Sequence, residues 1–280
     1  MTKARSSSWV PYGTALPELQ EGPNLKKLGL EQDFEDLRVL LPSSGRSWIF
    51  RGRLANAEEV VIKLLKKRDE FYSDSFCQQL ALVRGGAGHH RNIARMQSFG
   101  WMKGYFMVET DYCEGDSVDS IIGQLSLRQA LHVFVQVSEA MRHAHKYKLF
   151  HWNLKPADIL VDASNTVHVL DFGTPRPWSS DQIVSQPADQ LESLFGDLSY
   201  IAPETRRFED VDARANIYSL GCIMHVCLAA CGSVPDELNE FVLQCMSDEP
   251  SQRPSGMSQL SRELEWWLQK QPADTCGSKG

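Results

Sequence analysis

The sequence predicts an α+β chain of two lobes, a small β-rich N-terminal lobe followed by a larger α-helical lobe. Between Leu37 and Leu65 the segments RVLL, WIFRGRL and EVVIKLL have the composition and the flanking turns of strands. From Leu127 to Lys148 the apolar residues recur at helical spacing. Residues 216–231 are apolar nearly all round, which indicates a buried central helix. A cleft between two such lobes is the expected ligand site.

The remaining elements follow in chain order. Apolar spacing predicts a helix over Asp69–Arg84, which a glycine-rich segment ends. IARMQSFGW and KGYFMVET are predicted strands, ILVD and VHVLD are predicted short strands, and Phe241–Met246 and Leu260–Leu268 are predicted helices. The predicted division of the chain is a polar N-terminal extension over 1–34, an N-lobe over 35–111, a C-lobe over 112–269 and a flexible tail over 270–280.

Composition limits the classes of partner. The 280 residues are 42% hydrophobic and 23% charged, which is typical of a globular protein with a sizeable core. The formal net charge of −7 disfavours nucleic acid and anionic membranes as partners. We therefore expect a protein partner, with no nucleic acid and no membrane involved.

Cysteine usage and hydropathy indicate the compartment. The seven cysteines form no Cys-x-x-Cys pair, and most lie in apolar helical patterns, as buried free thiols do in a reducing compartment. The N-terminal segment has no apolar core typical of a secretory signal, and no uncharged apolar run reaches about 18 residues. These features predict a cytoplasmic protein without a membrane span.

Several motifs occur in a fixed order along the chain: VVIK, HWNLKPADILVD, LDFG, YIAPE, NIYSLGCIM and DEPSQRPS. Their order and spacing over residues 34–268 resemble the signature set of the protein kinase family. The resemblance implies a bilobal protein-kinase-like fold, and its Leu-Lys-Pro segment implies the Ser/Thr rather than the Tyr branch. It also implies ATP and Mg²⁺ as the cofactors, if the chain binds a nucleotide.

Some nucleotide-binding positions of the family are retained. Lys63 matches the lysine that contacts the α- and β-phosphates, and Asp171 matches a metal ligand. Asp158 stands where the family has a metal-binding asparagine, and a carboxylate is an equally suitable Mg²⁺ ligand. Alternative roles for Asp158 are a local hydrogen bond or, less in keeping with its position, a substitute base. The resemblance further implies nucleotide contacts for residues of the segment between the lobes, Thr110, Asp111 and Cys113.

The catalytic loop departs from the family. Lys155 matches a catalytic position, but Asn153 replaces the aspartate that accepts the proton of the substrate hydroxyl. A neutral carboxamide has no comparable basicity, so we expect Asn153 to be a degenerate base position. Trp152 replaces the arginine that would pair with a phosphorylated activation loop, so that form of switching is not expected.

The residues that would surround a nucleotide also depart from the family pattern. Pro42, Ser44 and Ser47 align with the three glycines of the phosphate-binding loop, which favours a plain hairpin over a phosphate clamp. Val61 replaces the alanine above the adenine and would narrow that slot. Either Gln78 or Gln79 aligns with the helix glutamate, and an amide cannot form its ion pair with the lysine.

The motifs that follow LDFG retain some of the family's residues and replace others. Asp197 replaces a threonine of the run before APE, and Asn216 replaces the central-helix aspartate that holds the catalytic loop. Glu204 and Arg253 match the buried ion pair of the large lobe, whose loss typically costs about 3–5 kcal/mol. After the central helix, CLAACGSVPDELNEF leaves almost no room for the family's docking helix.

Three functions are compatible with these observations. The one we favour is a pseudokinase, with absent or strongly impaired phosphotransfer, that acts as a binding or allosteric regulatory module. The alternative is a weak or unconventional ATP/Mg-dependent Ser/Thr kinase that relies on Lys63, Lys155, Asp158 and Asp171. A third is an enzyme that transfers another part of ATP, which no residue positively favours.

Overall fold

The N-terminal lobe is a five-stranded antiparallel sheet with one helix. The computed structural model describes residues 30, 34–44, 47–65, 74–102, 105–172, 198–207 and 209–272. The sheet has the strand order β1-β2-β3-β5-β4. Its elements are β1 Glu35–Ser44, β2 Ser47–Arg53, β3 Glu59–Leu65, α1 Asp74–Arg84, β4 Met96–Met102 and β5 Tyr105–Asp111.

Strict alternation gives β3 two different faces. Val60, Ile62 and Leu64 are buried in one apolar cluster, whereas Val61 and Lys63 point to the other face of the sheet. Two further residues of that cluster are Leu30 and Phe34, which are 0% and 4% exposed. The segment predicted as an N-terminal extension therefore contributes at least these two side chains to the core of the N-lobe.

The C-terminal lobe is mainly helical. A three-stranded sheet of order β6-β7-β8 lies beside the helices. The elements are β6 Asp116–Ser117, α2 Val118–Ile121, α3 Leu127–His145, β7 Ile159–Val161, β8 Val167–Val169, α4 Pro203–Arg206, α5 Arg214–Ala230, α6 Asp236–Cys245 and α7 Met257–Lys270.

Two helices organise this lobe. A capping box between Ser126 and Gln129 begins α3, and the apolar stripe of α3 is buried. Helix α5 is buried along most of its length, as its uninterrupted apolar composition predicts. Gly221 permits its close approach to α6, because a Cβ there would lie 2.8 Å from the Cβ of Cys245.

Buried hydrogen bonds join the two lobes behind the cleft. The backbone of Asn92 and Ala94 pairs with Val169 of β8, at 2.8 and 3.0 Å. The side-chain amide of Asn92 donates to Gln136 Oε1 at 3.0 Å and to the carbonyl of Val167 at 2.7 Å. Asn92 is 1% exposed, so this network ties the segment before β4 firmly to the C-lobe.

The predicted architecture is confirmed. Helices α6 and α7 are longer than predicted, and α1 begins at Asp74 within the described residues. The described part of the chain contains no helix long and apolar enough to cross a membrane. Its six cysteines are free thiols, three of them buried. The predicted flexible tail lies outside the described residues apart from Lys270, Gln271 and Pro272.

Candidate active site

An ion pair joins the lobes across the cleft. Lys63 of β3 contacts Asp171 with an Nζ–Oδ2 distance of 2.7 Å. Partial burial alone would raise the pKa of Asp171, but the neighbouring Lys63 ammonium outweighs it and holds that pKa below its ordinary value. Asp171 has a φ of +56°, a left-handed conformation that few non-glycine residues adopt. Two retained family positions are therefore brought together, although they are 108 residues apart in the chain.

The structure distinguishes the two glutamines of α1. Gln78 is exposed, whereas Gln79 is half-buried. The side-chain oxygen of Gln79 is buried and has no hydrogen-bond partner in the described part of the chain. Gln79 is therefore the inward-facing residue of the two.

Asp158 is a buried carboxylate beside this ion pair. It ends the short 3-10 turn Pro156–Asp158 and is 6% exposed. Burial, reinforced by the negative charge of Asp171, raises the pKa of Asp158 to about 8. The backbone N–H of Lys155 donates to Asp158 Oδ2 at 3.3 Å, so the local hydrogen bond considered for Asp158 is present.

The donor set fits a magnesium ion. Two carboxylates are the hard oxygen ligands that Mg²⁺ prefers, and a dication would relieve the unfavourable interaction between their charges. Asp158 and Asp171 are the residues that would hold it. No group of three or more potential metal ligands occurs among the described residues, so any further ligands would come from phosphate oxygens or water.

The catalytic loop is held by Asn216 of α5. Asn216 Oδ1 accepts from the His151 backbone N–H at 3.0 Å, and its Nδ2 donates to the His151 carbonyl at 2.6 Å. The ring of His151 contacts the Leu170 carbonyl at 2.9 Å and packs edge-on against Phe172. Burial lowers the pKa of His151 to about 4, so the ring is neutral at pH 7.

The two replaced residues of the loop differ in their surroundings. Trp152 is buried and packs edge-on against Phe150, with 5.6 Å between ring centroids. An apolar contact thus occupies the position of the family's arginine. Asn153 and Lys155 are both half-buried. Asn153 presents a carboxamide, which cannot take up a proton at neutral pH.

Three residues that were predicted to contact a nucleotide lie in or beside the segment between the lobes. Thr110 lies opposite Val61 in the β3–β5 pair. The Asp111 carboxylate accepts a hydrogen bond from Gln97, so the side chain of Asp111 is already engaged. Cys113 is half-buried, and burial raises the pKa of its thiol to about 11. The Cys113 thiol is therefore a poor nucleophile at neutral pH.

The strands that flank the predicted phosphate loop, β1 and β2, pair antiparallel. Ser44 of β1 pairs with Ser47 of β2, and Pro42 lies within β1. The turn residues between these strands, including Gly45, lie outside the described residues, as does Asp197.

The large-lobe ion pair is present and fully buried. Arg253 donates two hydrogen bonds to Glu204, at 2.7 and 2.8 Å, and further bonds to backbone carbonyls. Five residues, 231–235, join α5 to α6, which confirms the predicted shortening of this region.

A cavity of about 620 Å³ lies beside the segment between the lobes, and two residues predicted to contact a nucleotide, Asp111 and Cys113, line it. It is lined by residues from 90–95, 111–114 and 162–168. Its other charged residues, Arg91, Arg95, Glu114 and Asp162, were not singled out by any sequence pattern.

Comparison with known proteins agrees with this geometry. The family model for the protein kinase domain matches residues 45–235. Serine/threonine-protein kinase PknB of Mycobacterium leprae is 31% identical over 157 residues, 53% of this chain and 24% of that protein. Serine/threonine-protein kinase PknD of Mycobacterium tuberculosis is 26% identical over 255 residues, 86% of this chain and 37% of that protein. The matches thus span well under half the length of these relatives. Because the family model covers more than half of its length, the chain belongs to the protein kinase domain family.

Proposed function

We propose that this domain is a pseudokinase, a protein-kinase fold with absent or strongly impaired phosphotransfer that acts as a binding or allosteric regulatory module. The observation that carries the proposal is Asn153 at the position of the catalytic base. Loss of a general base typically lowers a rate by about 10²–10⁴. Asn153 lies in a loop that is otherwise well held, since Asn216 bonds both backbone groups of His151.

The retained scaffold supports a binding role. The buried Glu204–Arg253 pair and the packed core are those of a stable fold. In contrast, residues for chemistry are altered: Pro42, Ser44 and Ser47 align with the three glycines of the phosphate-binding loop, and a glutamine, Gln78 or Gln79, aligns with the charged partner of Lys63. A chain that keeps the first set and loses the second can still present surfaces to a partner protein.

A weak Ser/Thr kinase is the second candidate. Lys63 contacts Asp171, the charge of Asp171 acts on Asp158, and the relatives that the chain matches are named Ser/Thr kinases. Phosphoryl transfer depends mainly on positioning and electrostatics, so a residual rate without the aspartate is chemically reasonable.

Transfer of labelled phosphate from ATP to the chain itself and to a generic protein substrate tests the proposal. We expect the wild-type rate to equal that of Asp171→Ala, because neither chain completes the reaction. The matched variant Asn153→Asp restores the carboxylate and reports whether the base alone limits the rate. A wild-type turnover of about 1 per second or more that Asp171→Ala abolishes would overturn the proposal.

A thermal-shift titration with Mg²⁺–ATP separates the two candidates. A ligand at 100 times its Kd stabilises the folded state by about 2.7 kcal/mol. A shift that requires both Mg²⁺ and Lys63 would show that the cleft is occupied. The weak-kinase candidate fails if millimolar Mg²⁺–ATP leaves the melting temperature unchanged.

A further inference from the structure

Two histidine rings lie against each other where the segment before β4 meets helix α3. The ring centroids of His90 and His143 are 5.1 Å apart, and the ring planes are inclined by 32°. Both side chains are half-buried. Neither residue belongs to the ion pair, the carboxylates or the catalytic loop of the cleft. The contact therefore needs an explanation other than nucleotide chemistry.

Each ring has one hydrogen bond that fixes its neutral form. The backbone N–H of Asn92 donates to His90 Nδ1 at 3.2 Å, so this nitrogen carries the lone pair. His143 Nε2 lies 3.0 Å from the carbonyl oxygen of Gly86, which can only accept, so Nε2 donates. In both rings, a second proton can therefore go only to Nδ1.

A second proton has different consequences for the two rings. On His143 it leaves the bond to Gly86 in place. On His90 it converts the acceptor of the Asn92 N–H into a donor, so that bond is lost. Asn92 is 1% exposed, and in the described part of the chain its backbone N–H makes no other hydrogen bond. Protonated His90 is thus incompatible with the contact as the structure has it.

Most charges around His90 oppose its protonation. Burial, and then the charge of protonated His143, hold the pKa of His90 below its ordinary value. The guanidinium groups of Arg91 and Arg142 act in the same direction. Glu139 of α3 favours the proton, but Arg142 already donates two hydrogen bonds to it, at 3.3 and 2.8 Å.

The other neighbours of the pair do not change this balance. Tyr147 packs on His143 with 5.5 Å between ring centroids, and a phenol is uncharged at neutral and acidic pH. The 3-10 turn Gly86–Gly88 has no charged side chain, and exposed His89 follows it. The interaction that favours a proton on His90 comes from Glu139 and not from the acidic residues of the cavity that His90 also lines. Those residues are Asp111, Glu114 and Asp162.

We propose that His90 and His143 form an acid-sensitive contact between the lobes, which holds while both rings are neutral and loosens when His90 takes up a proton. Two imidazolium rings at this separation repel each other. The same proton removes the bond to Asn92, the residue that pairs with Val169 and Gln136 of the C-lobe. A histidine pair is suited to this role because its charge changes in the mildly acidic range.

Amide hydrogen exchange of the full chain, followed by NMR, tests the proposal. The readout is the protection factor of the Asn92 N–H relative to that of Ile223 in the middle of α5, which reports unfolding of the whole chain. We expect this ratio to fall about fivefold or more between pH 7.5 and pH 5.5, because protonated His90 cannot accept the bond.

Two variants separate the ring of His90 from its surroundings. In His90→Asn, the side-chain oxygen can accept the same bond and takes up no proton, so the ratio should change less than about twofold over this pH range. His89→Asn, at the exposed neighbouring histidine, is the matched control and should behave like the wild type. A ratio that does not depend on pH in the wild type, or that falls equally in His90→Asn, would overturn the proposal.

A third variant tests whether the two rings act as a pair. His143→Gln removes the charge that opposes a proton on His90, so the loss of protection at Asn92 should begin at a higher pH. An unchanged midpoint would show that the rings titrate independently and would also overturn the proposal. None of these measurements uses a nucleotide or a metal ion. Detection of a normal kinase rate would therefore overturn the proposed function and leave this result unaffected.

Discussion

A single side chain in α5 shows how a substitution can preserve a structural role. A carboxamide has both a donor and an acceptor, and Asn216 uses them on the N–H and the C=O of His151. An aspartate at this position would supply acceptors only. The replacement at position 216 therefore leaves the catalytic loop held, unlike the replacement at position 153, which removes a basic group.

Removal of this side chain should loosen the loop. Asn216→Ala leaves the buried N–H and C=O of His151 without partners, and we expect a loss of about 2–3 kcal/mol in the free energy of unfolding. Urea denaturation measures it. Asn239→Ala, at an exposed position of α6, is the matched control. A loss below about 0.5 kcal/mol would show that Asn216 does not hold the loop.

Asn216 also binds a half-buried histidine of α3. His145 Nε2 lies 2.9 Å from Asn216 Oδ1, which can only accept, so this nitrogen donates. Burial lowers the pKa of His145, and the hydrogen bond to Asn216 and the charge of Asp212 offset only part of that effect. The pKa of His145 in the folded state therefore lies below the value of about 6.5 for a histidine in the unfolded chain.

Stability should consequently depend on pH. As the pH falls below about 6.5, the unfolded chain takes up a proton at His145 more readily than the folded chain does, so the free energy of unfolding decreases by up to about 1.4 kcal/mol per pH unit. Denaturation at pH 7.5, 6.5 and 5.5 measures this slope. His145→Gln should reduce it, whereas His225→Gln, at an exposed position, should not. Identical slopes for wild type and His145→Gln would contradict the assignment.

At the scale of the element, β3 links the core to the cleft. Ile62 and Leu64 are buried on one face of the strand, while Lys63 extends from the other face to Asp171. Leu30 and Phe34 lie in the same apolar cluster as Ile62 and Leu64. The position of the lysine therefore depends on packing by residues that precede the sheet.

Truncation of this packing should destabilise the N-lobe. Leu30→Ala removes a fully buried side chain, and such changes typically cost about 2–5 kcal/mol. Leu243→Ala, at a leucine that is 54% exposed, is the matched control and should cost far less. Thermal denaturation of both variants tests this, and equal melting temperatures would mean that residue 30 is dispensable for the core.

At the scale of the whole molecule, buried and exposed contacts both join the lobes. The Lys63–Asp171 pair is 26% and 42% exposed at its two side chains, so solvent screens it and it contributes little to stability. The network around Asn92 is buried and bonds to both Gln136 and Val167. We infer that the buried network holds the lobes together, whereas the ion pair remains available for exchange with a ligand.

A comparison of two variants tests this division of roles. Asn92→Ala should lower the free energy of unfolding by about 2–3 kcal/mol, because buried polar groups lose their partners. Lys63→Met should lower it by less than about 1 kcal/mol. Chemical denaturation compares the two, and a larger loss for Lys63→Met would reverse the assignment.

Much of the fold and part of the candidate site could be predicted from local sequence pattern and residue identity. Apolar residues that recur every 2 residues indicate strands, and those that recur about every 3.6 residues indicate helices. These patterns involve only residues that are near one another in the chain. The chemical limit at Asn153 is likewise a property of the residue itself. For this reason the bilobal fold and the short connection between α5 and α6 could both be predicted.

Tertiary structure alone decided which distant groups meet. Lys63 and Asp171 are 108 residues apart, and His151 and Asn216 are 65 apart, so no local period reports their contacts. The inward orientation of Gln79, the burial of Leu30 and the cavity beside Arg91 and Arg95 also depend on how the elements pack. Hydrogen bonds and ion pairs act over a few ångströms in space, and only the folded chain brings such partners within that range.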